Sequence, residues 1–522
     1  MAHHIDADYS QQFLLPPSLE DWIGPDHPAR FIREFVDALD LDGLGIRWAS
    51  GEGGRPAYAC GLLLKVWLYG YYERVRSTRK LERACRNHMG FIWLTGMNVP
   101  DHNTLCNFFR ANKKGIRALF RKTVEVAVRA ELVGFVLHAV DGTKVPARVA
   151  NRGGWHKKKL EKLLAKLDEE LVRLEADLEG ASDLDEPSDA LPEAVTERQA
   201  LRERVLAALE ALDEAGQKHL HPADEDARVM KCADRNRNLF GYNGQAVADE
   251  KQGIVVACET VQDCNDEHCL NAMVEHVDEQ AGRHAERTVA DAGYATGPEL
   301  AQAQANGLDV VVALPPAAVP DPDKLYAGSN FTYDAERDVC ICPHGGELTL
   351  RGTRERKEKG YLLRRYRCAV KDCPHQTQCT GDKKGRTIEL NQYHQVYQRH
   401  IEKHRDPAVR ADLHKRGQII EPVFAFIKEH LGFRRFTVSG LDGARTQWAL
   451  LCATYNLHKL YKHWRSERTR AGHKGKRLLS HISGRWRRIL SSLGLPNRGQ
   501  VVPQCPSRRH SAGLSVVSTQ IS

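Results

Sequence analysis

No stretch of this chain approaches the run of about 18 apolar residues that a membrane-spanning helix needs. The opening segment, Met1 to Gln12, is polar and lacks the apolar stretch of a secretory leader. A disulfide framework is not expected either. The chain has 14 cysteines, but Cys60, Cys85, Cys106, Cys232, Cys258, Cys264 and Cys269 are scattered through apolar contexts in a long sequence without an export signal. These absences argue against a membrane protein and a secreted disulfide scaffold, and the expected compartment is the cytoplasm. Acidic residues are also scarce at one end. Residues 462–509 carry thirteen Lys/Arg against one acid, Glu467, while 168–214 is acid-rich and the whole chain is at +8. A basic end on a nearly balanced protein fits a polyanionic partner, nucleic acid above all, because each phosphate neutralised releases counterions.

At 522 residues the chain is too long for one core and predicts three or four domains or large insertions. Residues 1–130 read as a helical domain with DNA contact. Phe31, Phe35, Val36 and Leu39 share a helical face, Ser77 or Thr78 starts a later helix, and Asp101 or Asn103 caps another through Leu105, Phe108 and Phe109. Such short helices suit a helix-turn-helix reader or a plain bundle. The segment after Gly134 is a buried strand ending at Asp141. Leu160, Leu164, Leu167, Leu171, Leu174 and Leu178 alternate four and three apart, and Leu201, Val205, Ala208 and Leu212 repeat the seam. An antiparallel helical hairpin over 156–220 follows from that spacing. Then come two strands from Gly241 and Gly253, a helix from Glu267, a strand ending at Asp291, a helix from Glu299 and a strand from Asp309. This order matches an α/β ribonuclease-H-like mixed sheet flanked by helices, assembled from 131–155, 221–319 and 391–465. Residues 320–390 form a Cys-rich β insertion, and 466–522 a basic, partly disordered tail.

Asp141 and Asp291 each end an apolar strand and are closely followed by Gly, at the sheet edge where functional groups of α/β folds converge. Singly, an acid there is more often a turn residue; two in one sheet point to chemistry. Glu421 sits among Ile419, Ile420, Val423 and Phe426, where a carboxylate should be paired or metal-bound. Pro422 then marks a helix start or kink. Three carboxylates suit two hard divalent ions, which activate an attacking oxygen and stabilise a leaving one during phosphodiester cleavage. Lys428, farther along that helix, is placed to meet a DNA phosphate.

The stretches Phe13-Leu-Leu-Pro-Pro-Ser-Leu, Pro100-Asp-His-Asn-Thr-Leu-Cys-Asn-Phe-Phe-Arg, Ala139-Val-Asp-Gly-Thr-Lys, Gly241-Tyr-Asn-Gly-Gln, Ala290-Asp-Ala-Gly-Tyr, Ile420-Glu-Pro-Val-Phe, Gly432-Phe-Arg-Arg-Phe and Trp448-Ala-Leu-Leu-Cys-Ala-Thr-Tyr-Asn-Leu occur in this order. Together they resemble bacterial insertion-sequence transposases of the DDE class, over about residues 13–465. The resemblance implies a catalytic triad of Asp141, Asp291 and Glu421 holding two Mg²⁺ or Mn²⁺ ions, and homo-oligomers working on double-stranded element ends and target DNA. Lys144, Arg416, Lys428, Arg434 and Arg435 are the cations expected at DNA. The broader family carries Tyr-x2-Arg-x3-Glu-x6-Lys around its Glu. Here Glu421 and Lys428 fit, but His414 and Gly417 replace the Tyr and Arg, with Arg416 adjacent. An inactivated or repurposed DNA-binding protein, and a nuclease without strand transfer, are the competing expectations.

Cys340-Ile-Cys342, then Cys368, Cys373 and Cys379, cluster in the insertion. Cys342, Cys368, Cys373 and Cys379 form the best four-thiolate set for structural Zn²⁺, against a β subdomain with plain buried cysteines. The spacing lacks regular Cys-x2-Cys pairs.

Overall fold

The computed structural model describes residues 18–48, 56–150, 154–181, 193–214, 216–232, 237–314, 323–356, 360–368, 373–472 and 476–493. Six helices come first: α1 (Pro28–Asp37), α2 (Cys60–Tyr72), α3 (Thr78–Asn87), α4 (Met89–Thr95), α5 (His102–Ala111) and α6 (Lys113–Arg129). Their starts are written locally. Asp101 accepts the backbone N–H groups of Asn103 and Thr104 at 2.9 and 3.0 Å, which fixes the first turn of α5. Gly96, in the left-handed region at φ 58°, ends α4.

A mixed sheet follows. Strand β1 (Leu137–Pro146) precedes a small clamp, β2 (Trp155–His156), and the helices α7 (Lys157–Ala181) and α8 (Glu193–Glu214); β3 (His219–Leu220) closes the clamp by pairing with β2. The hairpin is antiparallel as the seams require: Asp168 meets Arg202 at 2.6 Å and Glu170 meets Arg198 at 3.0 Å. Leu160, Leu167, Val205, Ala208, Leu212 and Leu220 form its own small core, and the joint, 182–192, lies outside the described residues.

The sheet continues with β4 (Arg228–Cys232), β5 (Arg237–Asp249), β6 (Val255–Val261), helix α9 (Leu270–Ala281), β7 (Arg287–Ala290), helix α10 (Gly297–Ala305) and β8 (Val310–Val312). The long β5 pairs antiparallel with β1 on one side and with β4 and then β6 on the other. Beyond β1, strands β7 and β8 run parallel to it. The Val-Val-Val of β8 is buried throughout, as a parallel strand covered on both faces should be.

The insertion is a second sheet of five antiparallel strands, β9 (Thr332–Asp334), β10 (Val339–Ile341), β11 (Glu347–Arg356), β12 (Tyr361–Cys368) and β13 (Thr387–Asn391), with the short α11 (Gln376–Cys379) between the last two. It has a separate core of Phe331, Cys340, Leu348, Tyr366 and Ile388. The chain then returns as α12 (His394–Lys403), α13 (Pro407–Ala425), a π-helical turn (Phe426–His430), α14 (Leu441–Gly472) and α15 (Lys476–Ser491).

Within the segment expected to be a basic, partly disordered tail, the described residues form α15: Trp486, Leu490 and Leu493 are buried, and the Trp486 indole donates to Glu467 at 2.6 Å, tying α15 back onto α14. Two expectations need correcting. Asp141 does not end its strand, since β1 runs five residues farther along its antiparallel partner. Of the start or kink expected at Pro422, the start is excluded. The helix begins at Pro407, capped by Asp406, and passes through Pro422 before its hydrogen bonding loosens into the π turn.

The helical region is not a separate body. Its buried residues share one core with the sheet, α13 and α14. Polar ties reinforce the joint: Asn456 donates to the Val255 carbonyl at 2.8 Å, and Gln447 to the Tyr71 hydroxyl at 2.8 Å. His458 of α14 stacks on Tyr72 of α2 with ring centroids 3.6 Å apart. Burial holds His458 down to about 3 and His400, packed on Val312, down to about 4. Both fold neutral while the unfolded chain takes up protons near 6.5, so their contribution is complete above 6.5 and lost as pH falls toward the folded values. Thermal melts should therefore show stability falling by up to about 1.4 kcal/mol per pH unit per histidine below 6.5. His458→Phe should flatten that acid limb; an unchanged slope would exclude His458 as a source.

Candidate active site

The register of the parallel pair decides the site. His138 lies opposite Thr288 and Ala139 opposite Val289, so carrying the register two residues on sets Asp141 beside Asp291, directly after the last residue of β7. Neighbouring strands are about 4.8 Å apart, so the two aspartates arise as close neighbours from different parts of the sequence. Each is held by a local amide. Gly142 N–H donates to Asp141 Oδ1 at 2.7 Å, and Gly293 N–H donates to Asp291 Oδ1 at 2.8 Å. Asp141 is mostly buried, with 18 % of its side chain exposed. Burial raises its pKa; Arg416 and the Gly142 amide oppose that, and the charge of Asp291 adds to it.

Helix α13 packs across β1, β5 and β7, brings Arg416 to this edge and carries Glu421. Arg416 donates to Asp141 Oδ2 at 2.9 Å. Glu421, one turn later, is exposed rather than buried, and its apolar neighbours Ile419, Ile420 and Val423 face the core without it. Its carboxylate folds back along the helix: a methyl group on Gly417 would stand 3.0 Å from Glu421 Oε1. Glycine in the place where the family pattern has arginine is what leaves this room. Among the described residues, no three His, Cys, Asp or Glu side chains are gathered closely enough to hold one metal ion. The two aspartates are paired by the sheet, and Glu421 lies on the adjoining helix.

Sequence reasoning missed Asp266, only 8 % exposed, in the bend between β6 and α9. It accepts Asn243 Nδ2 at 2.7 Å and Gln245 Nε2 at 2.6 Å on one oxygen, and Lys144 Nζ at 2.8 Å on the other. Pleat alternation puts Gly142 and Lys144 on one face of β1 and Asp141 on the opposite face, so this network braces the sheet from behind the acid. Tyr294, the last residue of the Asp291 turn, donates to Gln245 Oε1 and joins it. Burial, then the charges of Asp266, Asp141 and Asp291, raise the Tyr294 pKa. No apolar strand delivers Asp266. The signal that could have found it is topological, because β6 runs parallel to β1 and so exits at the same edge as β7.

The cations expected at DNA divide by partner. Lys144 is tied to Asp266 and Arg416 to Asp141, while Arg434 pairs with Glu429. Lys428 is half-buried in the π turn. Arg435 is exposed and lines a large cavity.

In the insertion, Cys342, Cys368 and Cys379 pack around one small core. Burial raises the Cys379 pKa, Arg386 opposes this and the thiols of Cys342, Cys368 and Cys373 add to it; among the described residues no three such groups are close enough to share an ion. His344 and His375 stack beside them at 3.8 Å. No disulfide links the described cysteines.

Comparison with known families matches two segments: residues 17–111 to a transposase domain (DUF772) and residues 341–461 to a transposase DDE domain. Both are transposase models, and the chain is consistent with an insertion-sequence transposase of the DDE class. The second match contains Glu421 and the cysteine cluster but neither aspartate, whose pairing rests on the sheet. No curated protein and no solved structure matches the chain.

The site predicts two graded effects. A Cβ at Gly142 would stand 2.2 Å from Gln245 Nε2 and 2.6 Å from Asp266 Oδ1, so Gly142→Ala should cost about 1–3 kcal/mol by overpacking. Asp266→Ala strands two buried amide donors and the partly buried Lys144 ammonium and should cost roughly 3 kcal/mol. Urea unfolding of the full chain measures both. Wild-type stability in Asp266→Ala would show that the network does not brace the sheet.

Proposed function

We propose that this chain is a DDE transposase that cleaves DNA at the ends of an insertion sequence and joins those ends to target DNA, on a ribonuclease-H-like core. What supports the reading is the register of β1 and β7, which carried two residues past its last pair sets Asp141 beside Asp291, with the Glu421-bearing helix packed across both strands. Strand order β6-β5-β1-β7-β8, with the last two parallel to β1, fits such a core.

The donor set suits a hard divalent cation such as Mg²⁺ or Mn²⁺, because it consists of carboxylate oxygens, one of them desolvated beside a second negative charge. Asp141, Asp291 and Glu421 would hold the ions, two in this reading, which supply charge neutralisation at the phosphate and an activated oxygen. The protein's own part is positional. The sheet fixes two acids, Gly142 and Gly293 amides orient their inner oxygens, and the outer oxygen of Asp141 is occupied by Arg416 until that guanidinium turns away. Gly417 gives Glu421 freedom to swing from the helix toward the aspartates. Arg416, once released, stands close to where a DNA phosphate would arrive.

Cleavage of DNA carrying the element's terminal inverted repeats, with Mg²⁺ or Mn²⁺ present, tests the reading. Wild type should cut and transfer strands. Asp141→Ala, Asp291→Ala and Glu421→Ala should each lose at least about 10³-fold, since several kcal/mol of barrier lowering is removed. Undiminished cutting by Asp141→Ala would overturn the assignment. Cutting without strand transfer would make the protein a nuclease.

A further inference from the structure

A cavity of about 740 Å³ opens between the helical region and the loop joining the π turn to α14. Its floor is aromatic: Trp67, Tyr71, Phe109 and Phe436 are all buried. Five cationic side chains line it, Arg76, Arg110, Lys113, Arg148 and Arg435, and among the described residues no carboxylate does. Two of these are already used. Arg76 donates to the carbonyls of Leu431 and Gly432, and Lys113 pairs with Asp442 at 2.9 Å. The other three, Arg110 at the end of α5, Arg148 just past β1 and Arg435 in the loop, are exposed. Among the described residues none of the three has a hydrogen-bond or ion-pair partner.

Three unpaired guanidiniums from separate parts of the chain, facing one concavity, repel one another unless an anion fills it. The walls are fixed rather than loose. Phe436 N–H donates to the Pro146 carbonyl at 2.9 Å, Thr437 N–H to Gln447 Oε1 at 2.8 Å, and Gln447 in turn to Tyr71. Ser77, whose hydroxyl makes no capping bond, and Thr78 at the first turn of α3 also line the cavity, and that turn contains no acid.

We infer that this cavity is a second phosphate site, separate from the carboxylates, that grips the sugar-phosphate backbone of the DNA being processed. The inference rests on the transposase reading for its choice of polyanion. Arg148 lies two residues past the end of β1 and seven beyond Asp141, so the two are at most about 23 Å apart at the rise of a strand. That is at most about seven base pairs of duplex, so one DNA segment reaches both places. Arginine suits the role because its planar fork takes two phosphate oxygens at once. The contact is to backbone and therefore indifferent to base sequence.

The test is fluorescence anisotropy of the full chain on an arbitrary duplex of about 40 base pairs, in EDTA, across a salt series. The triple variant Arg110→Gln/Arg148→Gln/Arg435→Gln should bind roughly a hundredfold more weakly at about 0.1 M salt, with a log–log salt slope shallower by about 2.7. The corresponding triple Lys variant should keep most of the slope. Should the Gln triple fail to fold, Arg148→Gln alone, at an exposed side chain, should lose about 0.9 of slope. An unchanged slope in the folded variant overturns the inference. So does loss of ATP binding with DNA binding unchanged, which would make the cavity a nucleotide pocket. Because no divalent ion is present, the result is independent of whether the carboxylates cut DNA, and the cleavage assay judges that reading separately.

Discussion

The arrangement depends on one constraint, the register between β1 and β7. Shifting that pairing by a single residue would move Asp291 along the sheet and part it from Asp141. Everything around the pair holds the register. Strand β5 locks the other side of β1 over nine consecutive partners, from His138 to Pro146. Asp249, at the end of β5, accepts the amides of Gly134 and Phe135 and so fixes where β1 begins. Trp448 of α14 lies against Gly244 and donates to the Gln245 carbonyl at 2.9 Å, pressing the centre of β5 from one face. Asp266 gathers Asn243, Gln245 and Lys144 from the other.

Much of this fold was legible in the sequence because its signals are local. The leucine seams gave both hairpin helices, the capping residue Asp101 gave the start of α5, and apolar runs ending near Asp141 and Asp291 gave the two parallel strands. What was not legible depends on partners distant in sequence. Asp141 reads as a strand end because Gly142 follows it, whereas β5 keeps the strand going to Pro146. Glu421 reads as buried because its neighbours are apolar, but those neighbours turn into the core and leave it outside. Asp266 sits in a polar loop that looks like any turn. Its importance lies in three donors contributed by β1 and β5. The last described helix was hidden by its charge, since many basic residues obscured the spacing of Trp486, Leu490 and Leu493.

The helix carrying Glu421 shows how a departure from a family pattern can be read physically. His414 and Gly417 replace the expected Tyr and Arg. A positive charge is nevertheless present, one residue earlier, and it reaches Asp141 at 2.9 Å. Glycine at 417 opens the groove into which Glu421 leans. The helix thus replaces a cation beside the glutamate with room for the glutamate to lean back, and its cation pairs with the buried aspartate instead. An uncompensated carboxylate at Asp141, buried beside Asp291, would be costly, and Arg416 offsets that cost.

Function as proposed requires Asp141 on β1, Asp291 just after β7 and Glu421 on α13 to act as one site. Calorimetric titration of Mn²⁺ into the full chain, with Asp141→Asn, Asp291→Asn and Glu421→Gln as variants, tests it most directly. The account predicts Mn²⁺ binding by the wild type that is lost in each aspartate variant and weakened in Glu421→Gln. Binding that survives unchanged in both Asp141→Asn and Asp291→Asn would contradict it.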